Sequence, residues 1–193
     1  MEEMIFFRKN ALLANLCKEW DSKWAACHNN KEKLVRLVLM QQSAPYFATF
    51  CYQGKGLTKE YCKREFSDFI NGRIFDNCDD VSGFTYSIYV DAPVDFKIAS
   101  DVTQMLWCNN VNVEIPKTKC PIIYISNNSD VHLTCDGYNS PKIYLFDNSK
   151  LIIDDADDTC DIVVYSYGGA ADVEIGKYCT TNKIHIFPKE LRL

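Results

Sequence analysis

The side chains best suited to chemistry in this chain of 193 residues are the carboxylates of Asp154-Asp155-Ala156-Asp157-Asp158, with Asp161 close behind. Hard cations such as Ca2+ and Mg2+ take carboxylate oxygens, so a cation loop is the first reading to weigh. The run has neither the glycine nor the terminal glutamate of an EF-hand loop. A solvated acidic turn, which needs no ligand, is the favoured reading, followed by a contact for a basic protein partner; no metal and no cofactor is assigned. A second candidate lies just downstream, where Tyr165, Tyr167, Gly168 and Gly169 interrupt a repeat. A loop inserted in one repeat unit often carries binding, and with Tyr138 it would form an aromatic patch for protein or sugar contact. The candidate binding residues are therefore Asp154, Asp155, Asp157, Asp158, Asp161, Tyr165 and Tyr167.

Catalytic constellations are weak. His132 and His185 each sit between apolar neighbours in an alternating segment, and no Ser or Cys adjoins either as a nucleophile. The carboxylates are too many and too alike for a glycosidase pair to stand out. Gly54-Lys55-Gly56 lacks the Walker spacing and follows a helical pattern, so it reads as a helix stop and turn. Ten cysteines contain no Cys-x-x-Cys; they read as buried free thiols rather than as disulfides or a zinc site. The expectation is a protein that is not an enzyme.

The elements that must position these groups fall into two textures. In the second half Ile123-Tyr124-Ile125-Ser126-Asn127-Asn128-Ser129 is echoed by Ile143-Tyr144-Leu145-Phe146-Asp147-Asn148-Ser149, a step of 20 positions. Equivalent positions run Val111, Val131, Leu151 and Ile123, Ile143, Val163, Ile184. Two short strands per period joined by a polar corner describe stacked rungs, five or six of them, in which no unit buries its apolar face alone. Asn128 and Asn148 would build an amide ladder at the corners, and alternation points Tyr124 and Tyr144 outward, stacked. An antiparallel meander or sandwich is the rival, because strand-Asn-Asn-Ser-Asp-strand also reads as a hairpin.

The first third is helical in pattern. Leu13, Leu16, Cys17, Trp20 and Trp24 form one amphipathic stripe over residues 10–27. His28-Asn29-Asn30 breaks the pattern and offers a cap for a second helix from Lys31 to about Gln42, Ser43-Ala44-Pro45 starts a third, and Thr58 caps a fourth that stops at Asn71-Gly72. The fold class expected is α+β: a helical bundle over residues 1–75, then a short single-stranded β-solenoid (a parallel β-helix) of about 20-residue rungs over residues 84–193.

Charge follows the same division. Residues 1–75 hold 12 Lys/Arg and 8 Asp/Glu, whereas residues 76–193 hold 9 and 18, net −9 within a total of −5. Lys55, Lys59, Lys63, Arg64 and Arg73 flank a helix-turn-helix-like step, but they are too sparse for phosphate affinity at physiological salt, so nucleic acid is not the expected partner. Apolar runs fall far short of a membrane span, and the acidic start is unlike a signal peptide; a cytoplasmic protein is the expectation.

Gly54-x-Gly56-Leu57-Thr58-x-Glu60-Tyr61 and Phe69-Ile70-Asn71-Gly72-Arg73, followed by strand repeats with an Asn/Asp-Ser corner, resemble a group of uncharacterised proteins encoded by phages and mobile elements of gut Bacteroidetes. The resemblance implies a phage or mobile-element context in a bacterial host and carries over no activity and no site residue. The function expected is a non-enzymatic cytoplasmic interaction protein presenting an acidic solenoid to a protein partner, for example as an inhibitor of a basic host protein. The alternatives are a structural component of a phage particle, with homo-oligomers and a virion location, and a small-ligand or carbohydrate-binding enzyme.

Overall fold

A computed structural model describes residues 18–27, 85–92, 95–167, 172–179 and 183–189, with isolated positions before residue 65. The chain divides into two compact units, Met1–Ile70 and Asn71–Leu193. In the first unit one helix is described, α1 (Lys18–Cys27). Trp24 and Cys27, three positions apart on one face, are buried, and Asp21 accepts hydrogen bonds from Arg8 at 2.6 and 3.0 Å. Past its end, Asn30 Oδ1 accepts the Lys33 N–H at 2.9 Å, the contact expected of a helix cap. The expected four-helix bundle is not shown. Apart from isolated positions, its other three helices lie outside the described residues, as do the Gly54-Lys55-Gly56 turn and the basic step, of which only Arg64 is described.

The second unit is a parallel β-solenoid. Its strands are β1 (Tyr86–Val90), β2 (Phe96–Lys97), β3 (Val102–Leu106), β4 (Val111–Ile115), β5 (Ile122–Ser126), β6 (Asp130–Cys135), β7 (Lys142–Phe146), β8 (Lys150–Ala156), β9 (Ile162–Tyr167), β10 (Asp172–Ile175) and β11 (Ile184–Lys189). Odd strands form one sheet, here sheet A, in the order β1-β3-β5-β7-β9-β11; even strands form sheet B, β10-β8-β6-β4-β2. Every neighbouring pair is parallel. That excludes the antiparallel meander, whose consecutive strands would pair with each other.

Alternation sends one side chain of each pair inward. Sheet B contributes the columns Val111-Val131-Leu151-Val173 and Val113-Leu133-Ile153-Ile175. Sheet A faces them with Ile123-Ile143-Val164 and Met105-Ile125-Leu145, and these residues make one continuous core. The columns drive the stacking: each β-branched or leucine side chain is covered by the rungs above and below, and burial is complete only in the middle rungs.

The step is 20 residues from Val111 to Val131 and from Ile123 to Ile143, as the sequence predicts. It then changes. Between Leu133 and Thr134 the pairing with β8 shifts register, so that Leu133 faces Ile153 but Thr134 faces Asp155. Asp154 is the extra residue, a β-bulge. The step is then 21 from Ile143 to Val164, which replaces the predicted Val163, and 22 from Leu151 to Val173 and from Ile162 to Ile184. Val163 instead faces Lys142 and His185, and Ile184 pairs with Ile162. Because side chains alternate with period two, that single inserted residue exchanges the inner and outer positions of β9 relative to the expected assignment.

The corners that join odd to even strands share a backbone device. The residue just past the odd strand has positive φ at Asp91 (52°), Trp107 (54°), Asn127 (60°) and Asp147 (53°). The ladder there differs from the predicted one. Asn128 and Asn148 are exposed, whereas Ser129 and Ser149 are fully buried. The Cys108 N–H donates to Ser129 Oγ and the Ser129 N–H to Ser149 Oγ, each at 3.1 Å. Asp147 accepts the N–H groups of Asn127 and Asn128 one rung away, at 2.5 and 3.1 Å, and the Ser149 hydroxyl at 2.8 Å. Hydroxyl and carboxylate oxygens thus satisfy corner N–H groups that would otherwise be buried without partners.

Candidate functional site

The acidic run divides between a strand and a corner. Asp154 and Asp155 lie on β8, and Asp157, Asp158 and Asp161 lie on the corner leading to β9. The predicted acidic turn therefore begins three residues later than its first aspartate. Asp157 accepts the Thr159 N–H at 2.9 Å and hydroxyl at 2.7 Å, and these bonds hold its carboxyl below the usual carboxylate range. The bulged Asp154 meets His132 Nδ1 at 2.9 Å, and Asp161 meets His185 Nε2 at 3.0 Å. Both strand histidines lie on the outer surface, as alternation predicts. Their aspartate partners were not legible, because the contacts cross rungs whose spacing the bulge changes.

Among the described residues no three His, Cys, Asp or Glu side chains come together in a metal-holding group.

A larger pattern emerges from the two outer faces. The strands of sheet A contain no Asp or Glu. Those of sheet B contain Glu114, Asp130, Asp154, Asp155, Asp172 and Glu174. Apart from the bulged Asp154, these carboxylates share register columns with outer-face residues such as Lys97, Thr134 and Lys150, because the inner columns are apolar. Lys97 reaches Glu114 at 2.7 Å and Lys150 reaches Glu174 at 2.8 Å. Six carboxylates against two lysines leave this face acidic, and Asp157 and Asp158 extend the charge onto the adjoining corner.

Sheet A carries the aromatics instead. Tyr124 stacks on Tyr144 with centroids 5.0 Å apart, Tyr144 on Tyr165 at 5.1 Å, and Tyr165 on Phe187 at 5.7 Å. A parallel column pairs Phe146 with Tyr167 at 5.1 Å. The outward stack of Tyr124 and Tyr144 is as predicted. Tyr165 and Tyr167 lie on β9 as members of this ladder, and residues 168–171, where the rest of the inserted loop was expected, lie outside the described residues. Tyr138, 83% exposed on a separate corner, has no ring contact with them. The stacked ring faces are occupied by each other. Burial, with a smaller contribution from neighbouring tyrosines, pushes the Tyr144 and Tyr167 hydroxyls up from their ordinary values.

The described cysteines are all free thiols, with Cys27, Cys108, Cys135 and Cys160 buried, Cys179 half-buried and Cys120 exposed. Cys160 donates to the Gly137 carbonyl at 2.8 Å, and Cys179 to the Ile153 carbonyl at 3.2 Å. Burial pushes the Cys135 thiol far up, the opposite of an activated nucleophile.

No protein-family model, curated protein or solved structure matches the chain. Among the described residues no helix is long and apolar enough to cross a membrane.

Proposed function

We propose that this chain is a non-enzymatic interaction protein that uses the acidic outer face of sheet B, Asp155 included, with Asp157 and Asp158 beside it, to hold a basic protein partner. The observation that carries this reading is the partition of charge: six carboxylates on the strands of sheet B and none on those of sheet A. Parallel stacking fixes these groups at rung intervals of about 4.8 Å. A partner with a regular row of Lys or Arg would meet them without ordering a loop, and so with little entropic cost. In its specific form the chain is a cytoplasmic inhibitor that occupies the basic, nucleic-acid-binding surface of a host protein, in the phage or mobile-element setting that the sequence resemblance implies.

The test is binding of a fluorescent basic peptide as salt is raised. Affinity falling several-fold between about 50 and 300 mM salt supports the reading, since exposed charges beyond a Debye length are screened. Binding that is absent or indifferent to salt refutes it.

A second reading, a structural component of a phage particle, is favoured by one observation. The last strand of sheet A leaves Ile186 and Phe187 40% and 45% exposed, Ile186 on a column whose Val164 is fully buried, and an open strand edge is a template for another chain. Size-exclusion chromatography with light scattering separates the two: a monomer supports the interaction module, and a stable trimer or larger species supports the structural role.

A further inference from the structure

The corner between β8 and β9 brings two thiols together inside the solenoid. Cys135 ends β6 in the inner column Ile115-Cys135-Ala156, and Cys160 lies on the corner one rung later. They are 2% and 1% exposed. The Cys160 thiol is directed at the Cys135 carbonyl at 3.3 Å and at the Gly137 carbonyl at 2.8 Å, which seats its sulfur against the backbone of the preceding rung. The two thiols are also hydrogen-bonded to each other. Cys108 and Cys179 differ, because their thiols are directed at backbone carbonyls.

We infer that Cys135 and Cys160 are a redox-sensitive staple, which a peroxide closes into a disulfide joining two neighbouring rungs. Rungs lie about 4.8 Å apart, and a disulfide spans Cα atoms about 4.4–6.8 Å apart, so the rung spacing suits the bond. Cys160 follows Cys135 by 25 positions, and closing that loop removes freedom from the unfolded chain. Burial holds both thiols protonated, so the reaction waits on local opening. Cys160 reacts first, because it belongs to a corner and Cys135 to a strand. Its sulfur attacks one peroxide oxygen; the O–O bond breaks, water leaves with the thiol proton, and a sulfenic acid remains. The Cys135 sulfur then attacks the Cys160 sulfur. The S–S bond forms, the S–O bond breaks, and the hydroxyl leaves with the Cys135 proton as a second water. Two thiols lose two electrons, and the peroxide is reduced to two waters. The new bond ties down the corner that carries Asp157 and Asp158.

The experiment incubates the reduced full chain with hydrogen peroxide, blocks the remaining thiols in denaturant and maps the peptides by mass spectrometry without reduction. The expected product joins the peptides of Cys135 and Cys160 and is two hydrogens lighter than the pair. A thermal scan of the oxidised chain should show a melting temperature about 5–10 °C higher, reversed by dithiothreitol. Cys160→Ser should lose both the linked peptide and the reversible rise, whereas Cys120→Ser, at an exposed position, should keep both. If Cys160→Ser does not fold, the peptide map and the dithiothreitol reversal of the wild-type chain decide the matter. Cys135 and Cys160 both still free after Cys120 has been oxidised would overturn the inference. So would a bond from either to a different cysteine, or a linked product that melts no higher than the reduced chain.

Discussion

The bulge at Asp154 makes adjacent valines in β9 opposites, and a pair of substitutions measures it. Val164 is completely buried between Ile143 and Ile186, while Val163 faces Lys142 and His185 on the outer surface. Val164→Ala removes two buried carbons, about 1.6 kcal/mol of transfer free energy at ~0.8 per carbon. The cavity left among close-packed rungs adds on the order of 1 kcal/mol. The sum, about 2–3 kcal/mol, lowers the melting temperature of a unit of this size by roughly 10 °C. Val163→Ala, at a half-exposed position, costs about 0.5 kcal/mol or less. Urea melts followed by circular dichroism, with thermal scans beside them, compare the two. If Val163→Ala is the more damaging, the register past Asp154 is wrong, and with it the assignment of outer-face residues in the last rungs.

Three further outcomes follow from the corners and the core. Ser149→Ala leaves the buried Ser129 N–H without its acceptor and should cost about 1–3 kcal/mol, with faster hydrogen exchange at the Ser129 amide. Burial outweighs the hydrogen bonds to Asp147 and raises its pKa above the ordinary value. The folded state therefore binds the proton more tightly than the unfolded chain, and the stability this confers is present below about pH 4 and lost as pH rises through the raised value. The difference in stability between wild type and Asp147→Asn, measured across that window, should show this slope. Mass spectrometry after brief iodoacetamide treatment should find the exposed Cys120 alkylated while Cys108, Cys135 and Cys160 stay free, because buried thiols with raised pKa values are poor nucleophiles. Labelling of all four at one rate would contradict the packed interior.

The architecture was legible because its cause is periodic. Val111, Val131 and Leu151, or Ile123 and Ile143, recur at 20 because each must cover the one before it. Outward tyrosines follow from the same alternation. β3 is less legible than its neighbours, because its polar Thr103 and Gln104 are buried and Trp107, just past its end, turns the corner. The slip at Val163 arose because Ile162-Val163-Val164 offers three apolar residues in succession and nothing in the acidic run marks Asp154 as the extra one. At the corners two residue types repeat together, Asn and Ser, and only burial tells which bears the ladder: the serines lie inside and the asparagines in water. The acidic composition was plain, but its confinement to one sheet depends on which strands alternate between sheets, a property of the winding. The histidine–aspartate contacts are likewise products of register between rungs.

The claim that the outer face of sheet B is the binding surface is tested most directly by one comparison. Asp155→Asn, Asp158→Asn and Asp172→Asn are combined in one variant, and its affinity for a fluorescent arginine-rich peptide is measured against wild type at low and at physiological salt. These groups are surface-placed and have no described role in the core, so the solenoid should fold and melt nearly as wild type. The account predicts an affinity roughly tenfold lower at low salt, from three exposed charge contacts at about 0.5 kcal/mol each, and a shallower dependence on salt. Unchanged affinity and an unchanged salt dependence in the folded variant would contradict it.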